Sequence, residues 1–293
     1  MAGPLIECVA NFSEGRDAAV VAAIERAVRS AAGVMVLRSE MDTDHNRSVI
    51  TFVGPPDAVA DGALRAIETA VERIDLRKHA GVHPRMGAAD VVPFVPLQSA
   101  TLSDCVAIAR ATGEAVWNRL RVPVYFYEAA ATSPERRLLE NCRRGGFENP
   151  RIAPDLGGPA LHPSAGACII GARKILIAFN VNLKTDDVQI ARDIARTIRA
   201  SSGGMPFVKA LGLPLAERGL AQVSMNLTDF EQTPLHVVFD AVQREAAARG
   251  VGIAGSEIIG LIPKKALEAA AAHYLQCENF ENGLVLENRL AES

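Results

Sequence analysis

The sequence predicts an α+β fold made of two subdomains with the same order of elements, β-α-β-β-α-β. Three observations predict it. Apolar residues alternate in short runs and recur at helical spacing in longer ones, glycine and proline fall where one period gives way to the other, and the element order returns in the second half without an obvious residue-level repeat. With 293 residues the chain is long enough for two hydrophobic cores.

Leu5 to Ala10 is a short strand-like run. Asp17 to Ala32 places Val20, Ile24, Val28 and Ala31 on one helical face, and Gly33 is a natural stop. Val34 to Ser39 and Ser48 to Val53 alternate as strands. Pro55 and Pro56 then open a helix with Val59, Ala63, Ile67, Ala70 and Ile74 at helical spacing. Val91 to Leu97 reads as a strand, and Pro93 and Pro96 assign it to a sheet edge or a bulge. This order is the split arrangement of ferredoxin-like domains. Thr101 to Asp104 is a capping-box pattern before a helix reaching Leu120, and Val122 to Tyr127 is a further strand. Residues 133–167 hold a short arginine-rich helical piece and then a glycine- and proline-rich stretch, too long for a plain connector.

The second half repeats the pattern. Ile175 to Val181 is a strand, and Thr185 caps a helix with Val188, Ala191, Ile194 and Ile198 on one face. Phe207 to Leu213 and Ala221 to Leu227 are strands. Thr233-Pro234 opens a helix that buries Val237, Val238, Ala241 and Val242 and stops at Gly250. Val251 to Ile262 supplies the last strand before a helix from Pro263 to Leu275. The subdomains span 1–181 and 182–293, with sheets expected to face one another across a ligand groove.

Composition narrows the function classes. A formal net charge of −3 and a pI near 6.1 give no electrostatic support for nucleic-acid binding. Five dispersed cysteines without a C-x-x-C pair read as free thiols in a reducing cytoplasm. The N-terminus meets Glu7 without a basic segment, so no signal peptide is expected, and no apolar run is long enough for a bilayer.

Against this acidic background, Arg77-Lys-His-Ala-Gly-Val-His-Pro-Arg-Met-Gly87 concentrates two imidazoles and three cations. His79 and His83 have the i, i+4 spacing of a helical metal pair, but Gly81 and Pro84 disfavour a helix, so no metal is expected. Either imidazole alone could simply bond a backbone carbonyl. A histidine held between Pro84 and Arg85, however, suits proton transfer on an anionic substrate. Glu40 to Arg47 reads either as a polar hairpin loop or, through Asn46 and Arg47 at a strand entrance, as an anion clamp. Asn11 and Ser13 read as helix caps or as part of a strand-to-helix anion site. Gly166 to Lys174 begins like a P-loop but has Ala-Arg-Lys where Gly-Lys-Ser/Thr is required, and His162 breaks a G-x-S-x-G pattern ahead of Ser164.

Ile6-Glu-Cys-Val-Ala-Asn-Phe-Ser-Glu-Gly15, Asn46-Arg-Ser-Val-Ile-Thr-Phe-Val-Gly54, His83-Pro-Arg-Met-Gly87, Gly171-Ala-Arg-Lys174, Ala178-Phe-Asn-Val-Asn-Leu183 and Ala221-Gln-Val-Ser-Met-Asn226 occur together and in order. Jointly they resemble the formiminotransferase domain of glutamate formimidoyltransferases over nearly the whole chain, without the cyclodeaminase of the animal enzymes. The resemblance implies two ferredoxin-like subdomains, usually in a homodimer in the cytoplasm. It implies transfer of the formimino group from N-formimino-L-glutamate to N5 of tetrahydrofolate, a co-substrate, with L-glutamate released and no metal required. Attack on the amidine-like carbon needs one proton removed and another delivered, and the resemblance gives that work to His83 as general base.

The resemblance also implies a folate-binding segment of Gly157, Gly158, Pro159, Ala160, Leu161, His162, Pro163, Ser164, Ala165 and Gly166, and substrate contacts from Asn11, Glu40, Asn46, Arg47, Arg85 and Lys174. The chain departs from the animal pattern at Ala165 (a tryptophan there), His162 (an aliphatic residue) and Glu40 (an aspartate). Two other functions remain compatible with the residues: use of 5-formyltetrahydrofolate as a donor, and folate binding without catalysis.

Overall fold

The computed structural model describes residues 3–79 and 85–292. The chain forms two compact units, Met1–Lys174 and Ile175–Ser293. The division lies ahead of the 181/182 boundary read from the sequence, because Ile177–Leu183 is one continuous strand of the second unit.

The first unit follows the expected order: β1 (Ile6–Phe12), α1 (Ala18–Arg29), β2 (Met35–Asp42), β3 (Arg47–Gly54), α2 (Pro56–Arg73) and β4 (Ala89–Pro96). It continues with α3 (Leu102–Leu120), β5 (Val124–Glu128), α4 (Leu139–Cys142) and β6 (Cys168–Ala172). The sheet order is β2-β3-β1-β4-β6-β5. Its first four strands are antiparallel in the ferredoxin-like arrangement, and β6 and β5 extend it in parallel.

Period-2 alternation decides which face is buried. Ile6, Cys8, Ala10 and Phe12 of β1 pack with Ile50 and Phe52 of β3 against Ile24 and Val28 of α1 and Val59, Ala63 and Ile67 of α2. The opposite face of the same strands carries Glu7, Val9 and Asn11 opposite Val53, Thr51 and Val49. Asp17 caps α1 by accepting from the N–H groups of Ala19 and Val20, Pro56 occupies the first turn of α2, and Thr101 and Asp104 form the expected capping box on α3.

Of the two readings of the proline-bearing strand, edge or bulge, the bulge holds: β4 is an interior strand between β1 and β6. Pairing with β1 is interrupted opposite Pro93, whose ring has no N–H to give, and the register shifts at Asn11/Phe12. β6 was not foreseen. It is a fully buried five-residue run without alternation, flanked by parallel neighbours on both sides.

The second unit contains β7 (Ile177–Leu183), α5 (Val188–Ile198), β8 (Val208–Leu215), β9 (Leu220–Leu227), α6 (Leu235–Ala247) and β10 (Ile253–Ile259), followed by α7 (Lys264–Tyr274) and α8 (Leu286–Glu292). Its antiparallel sheet runs β10-β7-β9-β8, the same ferredoxin-like order. Ile177, Phe179, Val181 and Leu183 pack with Val223 and Met225 against Ile194 and Ile198 of α5 and Val238 and Val242 of α6.

Two local expectations are corrected here. Asp187, not Thr185, caps α5 by accepting from the Gln189 N–H; the Thr185 hydroxyl instead accepts from the Asp187 N–H. Val237 is 43% exposed, because Leu235, Val238, Ala241 and Val242 already fill the buried stripe of α6. No helix among the described residues is long and apolar enough to cross a membrane.

Candidate active site

Three loops of the first unit meet at the ends of β1, β3 and β4. Gly15 makes the meeting possible, since a Cβ there would lie 2.3 Å from the Asp42 carbonyl oxygen and 2.4 Å from the Arg47 nitrogen. Its N–H donates to Asn46 Oδ1 at 2.9 Å. Asn46 adopts a φ of 48°, a left-handed conformation that asparagine tolerates, and its carbonyl accepts from His79 Nε2 at 2.9 Å. His79 therefore performs the simpler of the two roles considered for it. Ser13 Oγ donates to the Gly87 carbonyl at 2.8 Å, tying the β1 loop to the segment entering β4.

Neither Asn11 nor Ser13 caps a helix, since Asp17 does that. The backbone anion site expected at this turn is filled by the chain itself: Glu14 Oε1 accepts from the N–H groups of Arg16 and Asp17 at 2.8 and 2.9 Å.

The glycine- and proline-rich stretch docks against the same place. Leu76 N donates to the Ser164 carbonyl at 2.8 Å, Ala88 N to Ala165 at 2.9 Å, and Ala167 N to Met86 at 2.9 Å. Residues 162–167 thus hold both flanks of the basic loop. His162 and Gly166 exchange backbone hydrogen bonds, and His162 Nδ1 accepts from the Ala165 N–H at 3.0 Å. Burial holds the His162 imidazole below its ordinary pKa. Ala165 is 1% exposed and belongs to the core of the first unit, whereas Gly157, Gly158, Pro159, Ala160 and Pro163 are exposed. Any ligand contact from this segment falls on its outer part.

Ser13, Asn46, Arg47, His79, Arg85 and Asp90, with the exposed His45, line a shallow depression. Asp90 is 2% exposed; its Oδ1 accepts from the Met86 N–H at 2.7 Å and its Oδ2 from Arg143 Nη2 at 2.5 Å. Arg85 Nη2 donates to the His79 carbonyl at 3.2 Å and to Glu148 Oε1 at 2.8 Å, where Glu148 is 60% exposed.

Arg47 is different. It is half-buried, and its Nε, like those of Arg85 and Arg143, is buried without a partner; unlike theirs, its side chain makes no hydrogen bond or ion pair with any described residue. Burial holds it below the ordinary arginine pKa, and the charge of Arg143 adds to that, against the pull of Asp42, Asp90 and Glu40. An arginine remains protonated at any physiological pH, so the depression presents a cation in no direct ion pair with a described residue.

Asp42 is held below the usual carboxylate range; burial opposes this, but hydrogen bonds from His45 and the charges of His45 and Arg47 outweigh it. Glu40 lies on β2, paired with Arg38 at 2.7 Å. Asn11 donates to the Val9 carbonyl at 3.0 Å, and Lys174 is exposed at the end of the first unit. The structure brings Asn46, Arg47 and Arg85 together but leaves Asn11, Glu40 and Lys174 outside the pocket lining. His83 lies outside the described residues.

Asp90 and Arg143 were missed by the sequence reading. A signal existed for Asp90, a lone carboxylate entering the apolar run Val91 to Val95, which burial obliges to find a cation. All five cysteines are free. Burial pushes the Cys105 thiol up to about 12 and that of Cys142 up to about 11, so neither supplies a thiolate at neutral pH. Among the described residues no three His, Cys, Asp or Glu side chains are grouped to hold a metal ion.

The structure is thus of the α+β class, two ferredoxin-like units of which the first presents a cluster of arginines at a shallow depression. Comparison with known proteins supplies the family. Residues 5–173 match the formiminotransferase domain, N-terminal subdomain, and residues 178–290 match the formiminotransferase domain. The chain is 44% identical to a glutamate formimidoyltransferase of Streptococcus pyogenes serotype M1 over 98% of both chains. It is 45% identical to one from Thermoplasma acidophilum, over 99% of this chain and 98% of that one. A mouse formimidoyltransferase-cyclodeaminase is 44% identical over 94% of this chain but only 53% of its own length. The chain belongs to the formiminotransferase family, and it is a transferase.

Proposed function

We propose that this protein transfers the formimino group of N-formimino-L-glutamate to N5 of tetrahydrofolate, releasing L-glutamate, with His83 as general base. The observation that carries the reading is Arg47, without an ion-pair partner among the described residues, in a depression it shares with Arg85, in a chain whose full-length relatives are named for this transfer. Arg47 and Arg85 receive the donor's carboxylate, a guanidinium being matched to it bidentately. Asn46 orients the loop that presents Arg47. The exposed part of Gly157–Gly166 approaches tetrahydrofolate, and Asn11, Glu40 and Lys174 act outside the arginine-lined depression.

The proton bookkeeping follows from the chemistry. N5 loses a proton as it bonds to the amidine-like carbon, and the glutamate nitrogen gains one as it leaves. One imidazole with a pKa near neutrality can take the first and return it. His83 is two residues from Arg85 in the chain, so base and carboxylate anchor share one segment. The reducing cytoplasm suits a chain with five free cysteines, and a homodimer is the assembly to test by light scattering.

Incubation with formiminoglutamate and tetrahydrofolate is expected to yield 5-formiminotetrahydrofolate and glutamate. His83→Ala is expected to retain its circular dichroism and folate binding while turnover falls by roughly 10²–10⁴-fold, the usual contribution of a general base. Absence of turnover in the parent protein would overturn the transfer reading, and full turnover in the variant would remove His83 from it.

A further inference from the structure

We propose that Arg143 is a positioning residue for the donor amino acid: by engaging Asp90, it leaves Arg47 unpaired to receive the donor's carboxylate. The inference rests on the transfer reading above and concerns residues that reading does not use.

Asp90 and Arg47 line the same depression, and a buried carboxylate beside a buried guanidinium ordinarily pairs with it. Here it does not. Both oxygens of Asp90 are already committed, Oδ1 to the Met86 N–H and Oδ2 to Arg143. The Arg143–Asp90 pair is well shielded, with side chains 16% and 2% exposed. Arg47 is left with a buried, unpartnered Nε and no ion pair among the described residues, a state that costs free energy unless a ligand completes it. The other carboxylates near Arg47 are also committed, Asp42 to His45 and Glu40 to Arg38.

Two sources could supply the carboxylate, the donor or the glutamyl tail of folate. The donor is favoured by connectivity. Arg85 shares the pocket and lies two residues from His83, whereas in folate a whole aminobenzoyl unit separates the tail from the reacting N5. A carboxylate held by Arg85, on the segment of sequence that carries His83, is therefore assigned to the donor.

Arg143→Gln is the decisive perturbation. It frees Asp90, which then captures Arg47. KM for formiminoglutamate is expected to rise about tenfold or more, the scale of one charge-assisted contact, with little change in KM for tetrahydrofolate. Product L-glutamate, titrated calorimetrically, is expected to bind correspondingly more weakly. The double variant Asp90→Asn/Arg143→Gln has no carboxylate to capture Arg47 and is expected to recover most of the glutamate affinity. Recovery separates positioning from a direct or merely structural role.

An unchanged donor KM in Arg143→Gln overturns the proposal, as does failure of the double variant to recover. A rise in KM for tetrahydrofolate instead reassigns the pocket to the folate tail and overturns it too. Should the single variant not fold, glutamate binding by the double variant, which removes the Asp90 and Arg143 charges together, decides by itself. If the parent turns over no formiminoglutamate, the transfer reading fails, while glutamate titration still tests the Arg143 inference separately.

Discussion

Replacing Gly166 by alanine is expected to destabilise the first unit by roughly 2–5 kcal/mol, and the structure sets the scale. Gly166 has a φ of 70°, which costs an ordinary L-residue about 1–2 kcal/mol. A Cβ built there would lie 2.0 Å from the Met86 carbonyl oxygen and 2.9 Å from Leu76 Cδ1. That oxygen accepts from the Ala167 N–H at 2.9 Å, so relieving the clash loosens a buried backbone hydrogen bond at about 1–3 kcal/mol. For a domain of this size each kcal/mol lowers Tm by about 2–4 °C, so the first unit should melt around 10 °C lower in scanning calorimetry. Met86 also donates its N–H to Asp90, so glutamate binding by the folded fraction should weaken as well. Gly158 is the control, having no positive φ and nothing within 4 Å of its Cβ position. Its alanine variant should melt with the parent or slightly above it, by the unfolded-state entropy it removes. Equal melting of the two variants would refute the reasoning, because backbone conformation and close approach would then not govern this segment.

Two further predictions concern pH. Asp75 is lowered to about 2, first by the hydrogen bond from the Arg77 side chain. Its interaction is therefore complete above the ordinary value of 3.8 and is lost as pH falls from there through about 2; in Arg77→Gln the carboxyl titration followed by NMR should return toward 3.8. His236 of α6 stacks on His273 of α7 at 4.4 Å and is held below 6.5, first by burial and then by the charge of His273. The fold thus favours its neutral form, so that stabilisation is complete above pH 6.5 and is lost as pH falls through the lower folded value. Replacing His236 by glutamine should flatten the fall of Tm between pH 7.5 and 5, and parallel profiles for parent and variant would contradict this.

Both β-α-β-β-α-β orders were legible because each depends on local period, and period survives in a single sequence. The caps were legible as a type but not always as a residue. Thr185 and Asp187 both offer an oxygen near the start of α5, and only the backbone path decides between them. β6 was illegible because five apolar residues containing a glycine read equally as a loop, and its strand character comes from β4 and β5 on either side. Pro93 left edge and bulge open for a related reason, and the structure gives the bulge. A missing N–H excludes a residue from a ladder only where a partner would need it, and here the pairing with β1 lapses at that point.

In the site, Arg85 could be picked out because cations beside glycine and proline stand apart from an acidic chain, and Asn46 and Arg47 because they stand at the entrance to a strand. Arg143 could not, since it comes from a stretch with no clear period and reaches Asp90 across 53 positions of sequence. Charge type is visible in one dimension; which charges are already neutralised is not. Glu14 closes the anion site at the β1 turn, Glu148 attends Arg85 and Asp90 attends Arg143. What distinguishes Arg47 from the chain's other buried or half-buried arginines is the absence of any such companion among the described residues. A guanidinium kept half-buried and unpaired costs stability that packing alone does not explain. The cost becomes intelligible when a substrate's carboxylate is the missing companion. It also accounts for a second arginine placed so as to keep the nearest buried carboxylate away.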